Sequence, residues 1–300
     1  MAEAGRKLGF ALGSGGARGF AHAGVLRFLL EKGVAPAVVT GTSMGAVVGA
    51  ALAAGSFDRM LKVLGSLDMG EAASLFLDFS FSKSGLVKGR RVMEFLGAVI
   101  PDTTFDKLSM PFAAMATDVS TGRVVTLSRG KVLPAIRASI SIPGVFTPVR
   151  RGDALLVDGG ISSPVPVEAA RALGATEVLA VNVDGGGPCP YCSHRLPKVV
   201  NQAIDFRERL RGKIREGLGI QGGRGLGIVD LLSKTTRICE DRIAKWEVER
   251  TRPEWLVEPA VGDIPTLDFS RIDDAVKAGY EAAEKFYKDN GEALARGFAR

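Results

Sequence analysis

Ser43 sits in Gly41-Thr42-Ser43-Met44-Gly45, after the short apolar run Val38-Val39-Thr40 and before an Ala/Val/Gly-rich stretch from Met44 to Ala54. A serine on a tight turn between strand and helix has its hydroxyl pushed out of the sheet edge toward the helix N-terminus. The flanking glycines leave room where a Cβ would collide with neighbouring backbone. The N–H groups of the helix start then favour negative charge developing at a reacting centre. The pattern G-x-S-x-G also arises by chance in glycine-rich chains, but here the strand and the helix accompany it. The competing reading is structural, with Ser43 as the N-cap of the helix that follows.

A second chemical motif, Gly13-Ser14-Gly15-Gly16-Ala17-Arg18-Gly19, also separates an apolar run from a helical pattern. Small residues in succession leave backbone N–H groups uncovered, and such a nest holds a phosphate or the oxyanion of a tetrahedral intermediate. A P-loop would need Gly-Lys-Ser/Thr after its spacer, and none is present. The dinucleotide fingerprint is met only loosely, with no acidic residue ending a second strand about twenty residues on. That second strand ends in Ser43 instead, so an oxyanion hole fits better than a nucleotide site.

Three aspartates end apolar runs: Asp118 after Phe112 to Thr117, Asp158 after Leu155-Leu156-Val157, and Asp184 after Glu177 to Val183. Each could be a catalytic carboxylate at a strand end or a turn-capping residue. Histidine is scarce: only His22 and His194 exist. A Ser–His–Asp triad in α/β-hydrolase order would have to be Ser43, Asp158 and His194. His194 lies in a polar Pro/Gly/Cys-rich stretch, an insecure place for a general base, so a serine–aspartate dyad is the alternative.

The elements that must position these groups are legible as short runs. Leu8 to Leu12 and Val38 to Thr40 read as buried strands, and Phe20 to Leu30 and Met44 to Ala54 as helices. Arg91 to Val99, Val132 to Ser139 and Pro164 to Leu173 read as further helices. Phe112 to Thr117, Val124 to Leu127, Leu155 to Val157 and Glu177 to Val183 read as strands, the first two flanking a turn at Ser120-Thr121-Gly122. This alternation predicts an α/β protein with a largely parallel sheet covered on both faces.

Together these motifs closely resemble the patatin-like phospholipases, the bacterial members in particular. The resemblance rests on Gly-Gly-Ala-Arg-Gly leading into His22-x-Gly24-Val25-Leu26, on Gly-Thr-Ser-x-Gly, and on Asp158-Gly159-Gly160. It extends to Ala116-Thr117-Asp118 with Thr121-Gly122, Ala138-Ser139 with Ile142-Pro143, and Pro164-Val165-Pro166, from about Lys7 to Tyr287. It implies a three-layer α/β/α fold with a mostly parallel central sheet, and a Ser–Asp dyad with Ser43 as nucleophile and Asp158 as base. It implies an oxyanion hole from backbone N–H groups around Gly15, Gly16 and Ala17, with Arg18 supporting that loop. It selects Asp158 over Asp184 through the Asp-Gly-Gly motif before a proline-containing helix start. Ser14 stands where many members have glycine, so its backbone must avoid glycine-only conformations. The implied activity is lipid acyl hydrolysis, of phospholipase A or lysophospholipase type, without a cofactor. The rival within the same fold is a catalytically silent lipid-binding or regulatory protein.

The whole chain bounds these readings. At 300 residues, 46% hydrophobic and 24% charged, it is long enough for one sizeable α/β domain with its core over about residues 7–287. The N-terminus lacks the apolar stretch of a secretory signal, and the uncharged window Gly33 to Phe57 carries Pro36 and several glycines. A cytoplasmic protein without a membrane span is expected. The net charge of +6 is concentrated between Arg195 and Arg224, where eight Lys/Arg face three acids, a local +5. With Val199, Ala203, Phe206, Leu210 and Ile214 at helical spacing, this segment reads as a basic amphipathic helix for an anionic membrane surface, or else as a solvated face. No nucleic-acid-binding motif accompanies the charge, and no feature specifies an oligomeric state. Leu75-Phe76-Leu77 with Phe79 and Phe81 could line an acyl channel, form a lid or pack in the core.

Three cysteines rule out a disulfide framework. Cys189, Cys192 and His194, in what looks like an insertion over about 185–195, make with Cys239 four metal-ligand candidates, the number zinc takes. The same C-x-x-C could be a redox pair, but no thioredoxin-like context surrounds it, and a surface loop with incidental thiols is the simpler reading. No metal is therefore assigned.

Overall fold

The computed structural model describes residues 5–66, 89–184 and 228–298. The predicted insertion at 185–195, the aromatic stretch Leu75 to Phe81, and the basic segment Arg195 to Arg215 lie outside the described residues. So do Cys189, Cys192 and His194.

Eight strands make one mixed sheet in the order β5-β6-β3-β2-β1-β7-β8, with β4 beside β3. They are β1 (Leu8–Leu12), β2 (Val38–Thr42), β3 (Phe112–Asp118), β4 (Val124–Leu127), β5 (Val149–Arg151), β6 (Ala154–Asp158), β7 (Glu177–Val181) and β8 (Trp255–Val257). The pairings β3-β2, β2-β1, β1-β7 and β7-β8 are parallel. The predicted parallel sheet thus holds for the centre and one side. At the other side β4, β5 and β6 run antiparallel to their neighbours; short turns join β3 to β4 and β5 to β6, and the chain between β4 and β5 passes through a helix before β6 returns beside β3.

The described helices are α1 (Ala21–Glu31), α2 (Met44–Ala53), α3 (Phe57–Ser66), α4 (Arg90–Val99), α5 (Val132–Ser139), α6 (Val167–Ala172), α7 (Ile228–Thr251) and α8 (Ile272–Phe298). Strand periodicity divides the core between them. Leu8, Phe10 and Leu12 of β1, with Leu179 and Val181 of β7, face a large cluster shared with α1, α2 and α8. Ala11 of β1, with Val178 and Ala180 of β7, faces the other way, onto α6 and Ala244 of α7. Three layers result, helix, sheet and helix, as the resemblance implied. Among the described residues no helix is long and apolar enough to cross a membrane.

Two helices carry the structure around the site. α8 packs along α1 so closely that a Cβ on Gly24 would overlap the Val276 carbonyl, and one on Gly279 the Ala21 carbonyl. Phe28 fills the seam beside this crossing, its ring edge-on to Tyr280 at 5.1 Å and Tyr287 at 5.8 Å. α7 crosses the opposite layer. Its buried Glu247 accepts from Ser163 Oγ and from the Val165 N–H, both at 2.7 Å, fastening the helix to the segment after β6.

Candidate active site

Ser43 stands where β2 turns into α2, with φ 54° and ψ −121°. That conformation is strained for a residue with a side chain and is held only when the surroundings over-determine it. Here they do. The Ser43 N–H donates to Ser139 Oγ at 3.0 Å, and that hydroxyl donates in turn to the Met115 carbonyl at 2.6 Å. A Cβ on Gly45 would overlap the Leu12 and Gly13 carbonyl oxygens, and one on Gly41 the Gly45 carbonyl, so the turn can tighten only with glycine at both places. The side chain of Ser43 makes no helix-capping bond. Its hydroxyl donates to Asp158 Oδ2 at 2.6 Å, which answers the competing N-cap reading.

The register explains how two residues 115 apart in sequence meet. Thr42 pairs with Met115 on one side of β3, and Asp158 pairs with Ala116 on the other. Ser43 and Asp158 therefore flank β3 at one level. Asp158 closes an antiparallel strand, so it reaches the site by where β6 stops and not by the usual rule for parallel strand ends. Its main chain is fixed by Asp158 N–H donating to the Ser141 carbonyl at 3.0 Å and by Thr117 Oγ1 donating to its carbonyl at 2.9 Å. Its Oδ1 accepts the Gly160 N–H at 2.8 Å. Burial pushes the Asp158 carboxyl up to about 7, against the Ser43 and Gly160 hydrogen bonds and with help from the negative charge of Asp184. An aspartate so placed is a far better base than one in water.

The other two aspartates have structural partners. Asp118 accepts from Ser120 N–H, Thr121 Oγ1 and Leu155 N–H, and the Thr121 bond leads in holding it below the usual carboxylate range. It organises the predicted turn. Asp184 forms a buried ion pair with Arg18 at 2.5 Å and accepts from Ser14 Oγ at 3.1 Å. Both contacts anchor the glycine-rich loop.

Within that loop the positive φ values fall on Gly15 and Gly16, at 139° and 57°, and Ser14 avoids them, as its side chain requires. The Gly13 N–H donates to the Val181 carbonyl, Ser14 N–H to Pro164 and Ala17 N–H to Thr266, at 3.0, 2.8 and 2.8 Å. Ala17, one of the three expected oxyanion donors, is thus already engaged. Gly15 and Gly16 precede the first bonded turn of the 3₁₀ segment Gly16–Phe20, and no hydrogen bond among the described residues takes their N–H groups. Arg18 braces the loop from below, its guanidinium also donating to the Ile264 carbonyl and Thr266 Oγ1.

His22 is fully buried with Nε2 2.8 Å from the Gly13 carbonyl oxygen, and burial drives it down to about 4. It is a neutral imidazole donating to the loop and does not touch the Ser43 hydroxyl. Cys239 is exposed on α7, and among the described residues no group of three His, Cys, Asp or Glu side chains is placed to hold a metal ion.

Ser43, Asp158, Gly15 and Gly16 border one narrow cavity of about 20 Å³, the space of a water molecule or a small polar group. α7 supplies its far wall with Thr236, Arg237 and Glu240. None of these three was singled out in the sequence. Glu240, Ala244 and Glu247 recur at helical spacing within a polar, charged helix, and such a pattern reads as a solvated face.

The family model described as patatin-like phospholipase matches residues 10–171, a span that holds Ser43, Asp158 and the glycine-rich loop. An uncharacterized NTE family protein of Mycobacterium tuberculosis is 38% identical over 184 residues, covering 61% of this chain and 51% of its own length. A second from the same organism is 33% identical over 281 residues, covering 93% and 46%. The patatin-like phospholipase domain-containing protein 7 of Rattus norvegicus is 25% identical over 287 residues, covering 92% of this chain and 20% of its own. The crystal structure of VipD from Legionella pneumophila superposes with a TM-score of 0.49 at 15% identity, covering 95% of this chain and 67% of that one. The chain spans about half the length of the mycobacterial relatives. With more than half of its residues inside the family match, the chain belongs to the patatin-like phospholipase family.

Proposed function

We propose that the chain is a serine acyl hydrolase of lipid esters that works through a Ser43–Asp158 dyad. The observation that carries this reading is the 2.6 Å hydrogen bond from Ser43 Oγ to Asp158 Oδ2 inside a buried, strained turn. A lipid-binding protein without catalysis would need neither the strain nor a buried carboxylate lifted toward neutrality.

The steps follow from the parts. Asp158 accepts the Ser43 proton as Oγ attacks the ester carbonyl, and the oxyanion that forms is met by the Gly15 and Gly16 N–H groups at the start of the helical turn. Collapse of the tetrahedral intermediate expels the alcohol, whose oxygen takes a proton from the site, and leaves an acyl-enzyme on Ser43. Water then gives a proton to a carboxylate of the site as it attacks the acyl group, the departing Ser43 oxygen takes a proton in turn, and the fatty acid departs. No bound cofactor enters any step. The Arg195 to Arg215 segment, by its charge, supports contact of the same protein with anionic lipid surfaces.

The test is a hydrolysis screen across acyl-chain lengths and head groups, with Ser43→Ala as blank. Full activity in the Ser43→Ala protein would end this reading. Vesicle binding that ignores both anionic lipid and salt would remove the membrane contact alone.

A further inference from the structure

Among the described residues Glu240 is the one buried carboxyl of the cavity wall for which the mechanism has no use. It is 8% exposed, and among the described residues it makes no hydrogen bond and no ion pair. A carboxyl so nearly enclosed and without a protein partner calls for an explanation, and its oxygens open onto the cavity. Its place is specific: Glu240 lies over Gly160, where a Cβ would come within 2.6 Å of Oε1. The Gly160 N–H is the group that holds Asp158. Glu240 borders the same cavity as Ser43, Gly15 and Gly16. Its neighbour Cys239 is exposed and belongs to another face of α7.

Resting on the dyad reading, we propose that Glu240 is a second catalytic residue, an uncharged carboxylic acid that gives its proton to the leaving alkoxide of the substrate. During acylation the Ser43 proton passes to Asp158 and the Oγ–C bond forms. As the bond from the acyl carbon to the alcohol oxygen breaks, that oxygen takes the Glu240 proton, leaving Asp158 neutral and Glu240 ionised. During deacylation the attacking water gives a proton to Glu240, and the departing Ser43 oxygen takes the one on Asp158. The site returns to its starting state, and the two carboxyls carry one negative charge between them throughout. Two ionised carboxylates in one dry cavity would repel each other, so opposite protonation states are the stable arrangement.

The surroundings favour a neutral Glu240 at rest. Burial raises it well above the ordinary glutamate range, and the negative charges of Asp158 and Asp184 add to this, while Arg18 and Arg237 oppose it. Among the described residues these four are the charged groups that act on it.

The experiment compares two esters of one fatty acid, a p-nitrophenyl ester whose phenolate leaves without a proton and a glyceryl ester whose alkoxide needs one. In the full chain, Glu240→Gln keeps the shape and removes the proton. It should lower kcat/KM on the glyceryl ester by about a hundredfold or more, the range of general acid catalysis. With the p-nitrophenyl ester it should keep a near-normal burst followed by slow turnover, because acylation survives and deacylation does not. Its rate profile should also lose the alkaline fall that the wild-type protein shows on the glyceryl ester. Glu240→Leu should behave as Glu240→Gln does on each ester, and both variants should melt at or above the wild-type temperature, since an unpartnered, nearly enclosed carboxyl has been removed. Equal losses on the two esters, no loss on either, or lost activity with a lowered melting temperature would each overturn the proposal. Ser43→Ala run in parallel separates the two claims. Both esters dead in Ser43→Ala with Glu240→Gln unaffected sinks Glu240 alone, and an active Ser43→Ala sinks the dyad with it.

Discussion

Arg18 and Asp184 form an ion pair with both side chains withdrawn from solvent, 0% and 2% exposed, at 2.5 Å. This pair joins the glycine-rich loop after β1 to the end of the segment after β7, and the same guanidinium reaches Ile264 and Thr266. Removing one partner strands a buried charge, so Arg18→Met or Asp184→Ala should each cost about 3–5 kcal/mol of stability, and the double variant less than the sum. Denaturant unfolding of the three variants measures this. Single variants that unfold at the wild-type midpoint would show that the pair does not hold the loop. Where a single variant stays folded, hydrolysis should still fall more than about tenfold, since the Gly15 and Gly16 donors lose their brace.

The strain at Ser43 has a stability signature of its own. Ser43→Ala removes the hydroxyl but keeps a Cβ at φ 54°, whereas Ser43→Gly removes both. The glycine variant should therefore be more stable than the alanine variant by about 1 kcal/mol, within the range for a single strained residue and despite glycine's greater freedom when unfolded. Thermal melts of the two inactive proteins decide it, and an alanine variant that melts higher would mean that the turn is relaxed.

Asp158 sets the acid side of the rate profile. A base must be ionised to accept the Ser43 proton, and burial places its carboxyl at about 7. kcat/KM should thus fall about tenfold for each pH unit below 7, to about a hundredth of its plateau at pH 5. A carboxylate of ordinary strength would leave the rate flat down to about pH 4. Asp158→Asn should abolish hydrolysis at every pH, and His194→Ala should leave the rate nearly unchanged. A large loss in the histidine variant would restore the triad.

The parts of this site that are local in sequence were legible there, and the parts made by distant contacts were not. Ser43 shows itself because strand, turn and helix are contiguous around it. Asp158 emerged from three equivalent strand-end aspartates only through the family's Asp-Gly-Gly motif, and the register across β3 supplies the physical reason. Strand Leu8–Leu12 and helix Val132–Ser139 fall where the apolar runs placed them. Ala17 differs: its N–H is spent on Thr266, some 250 residues on, and nothing near Ala17 announces that. β5, β8, α3 and the long helices α7 and α8 went unassigned, and α7 hides its buried face among charges. Glu240 and Glu247 look like solvated residues until the helix is laid across the Gly159–Ile161 turn.

Glu247 gives the last prediction, one of stability alone. Its carboxyl accepts from Ser163 Oγ and the Val165 N–H, yet burial outweighs both and lifts it to about 7, against about 4.3 in the unfolded chain. Between about pH 4 and pH 7 the native state keeps a proton that the unfolded state has released. The stability this group contributes is therefore complete below pH 4 and is lost as pH rises through 7, with a slope of up to about 1.4 kcal/mol per pH unit. Glu247→Gln keeps an acceptor for Val165 and carries no charge, so its contribution to the slope should vanish. Urea unfolding at pH 5 and pH 8 should show the variant close to wild type at the lower pH and more stable than wild type at the higher. Asp158 bends the wild-type curve in the same direction, so the variant should flatten it without removing all of its slope. A variant whose stability falls with pH as steeply as the wild type would mean that Glu247 is already ionised in the folded protein at pH 5.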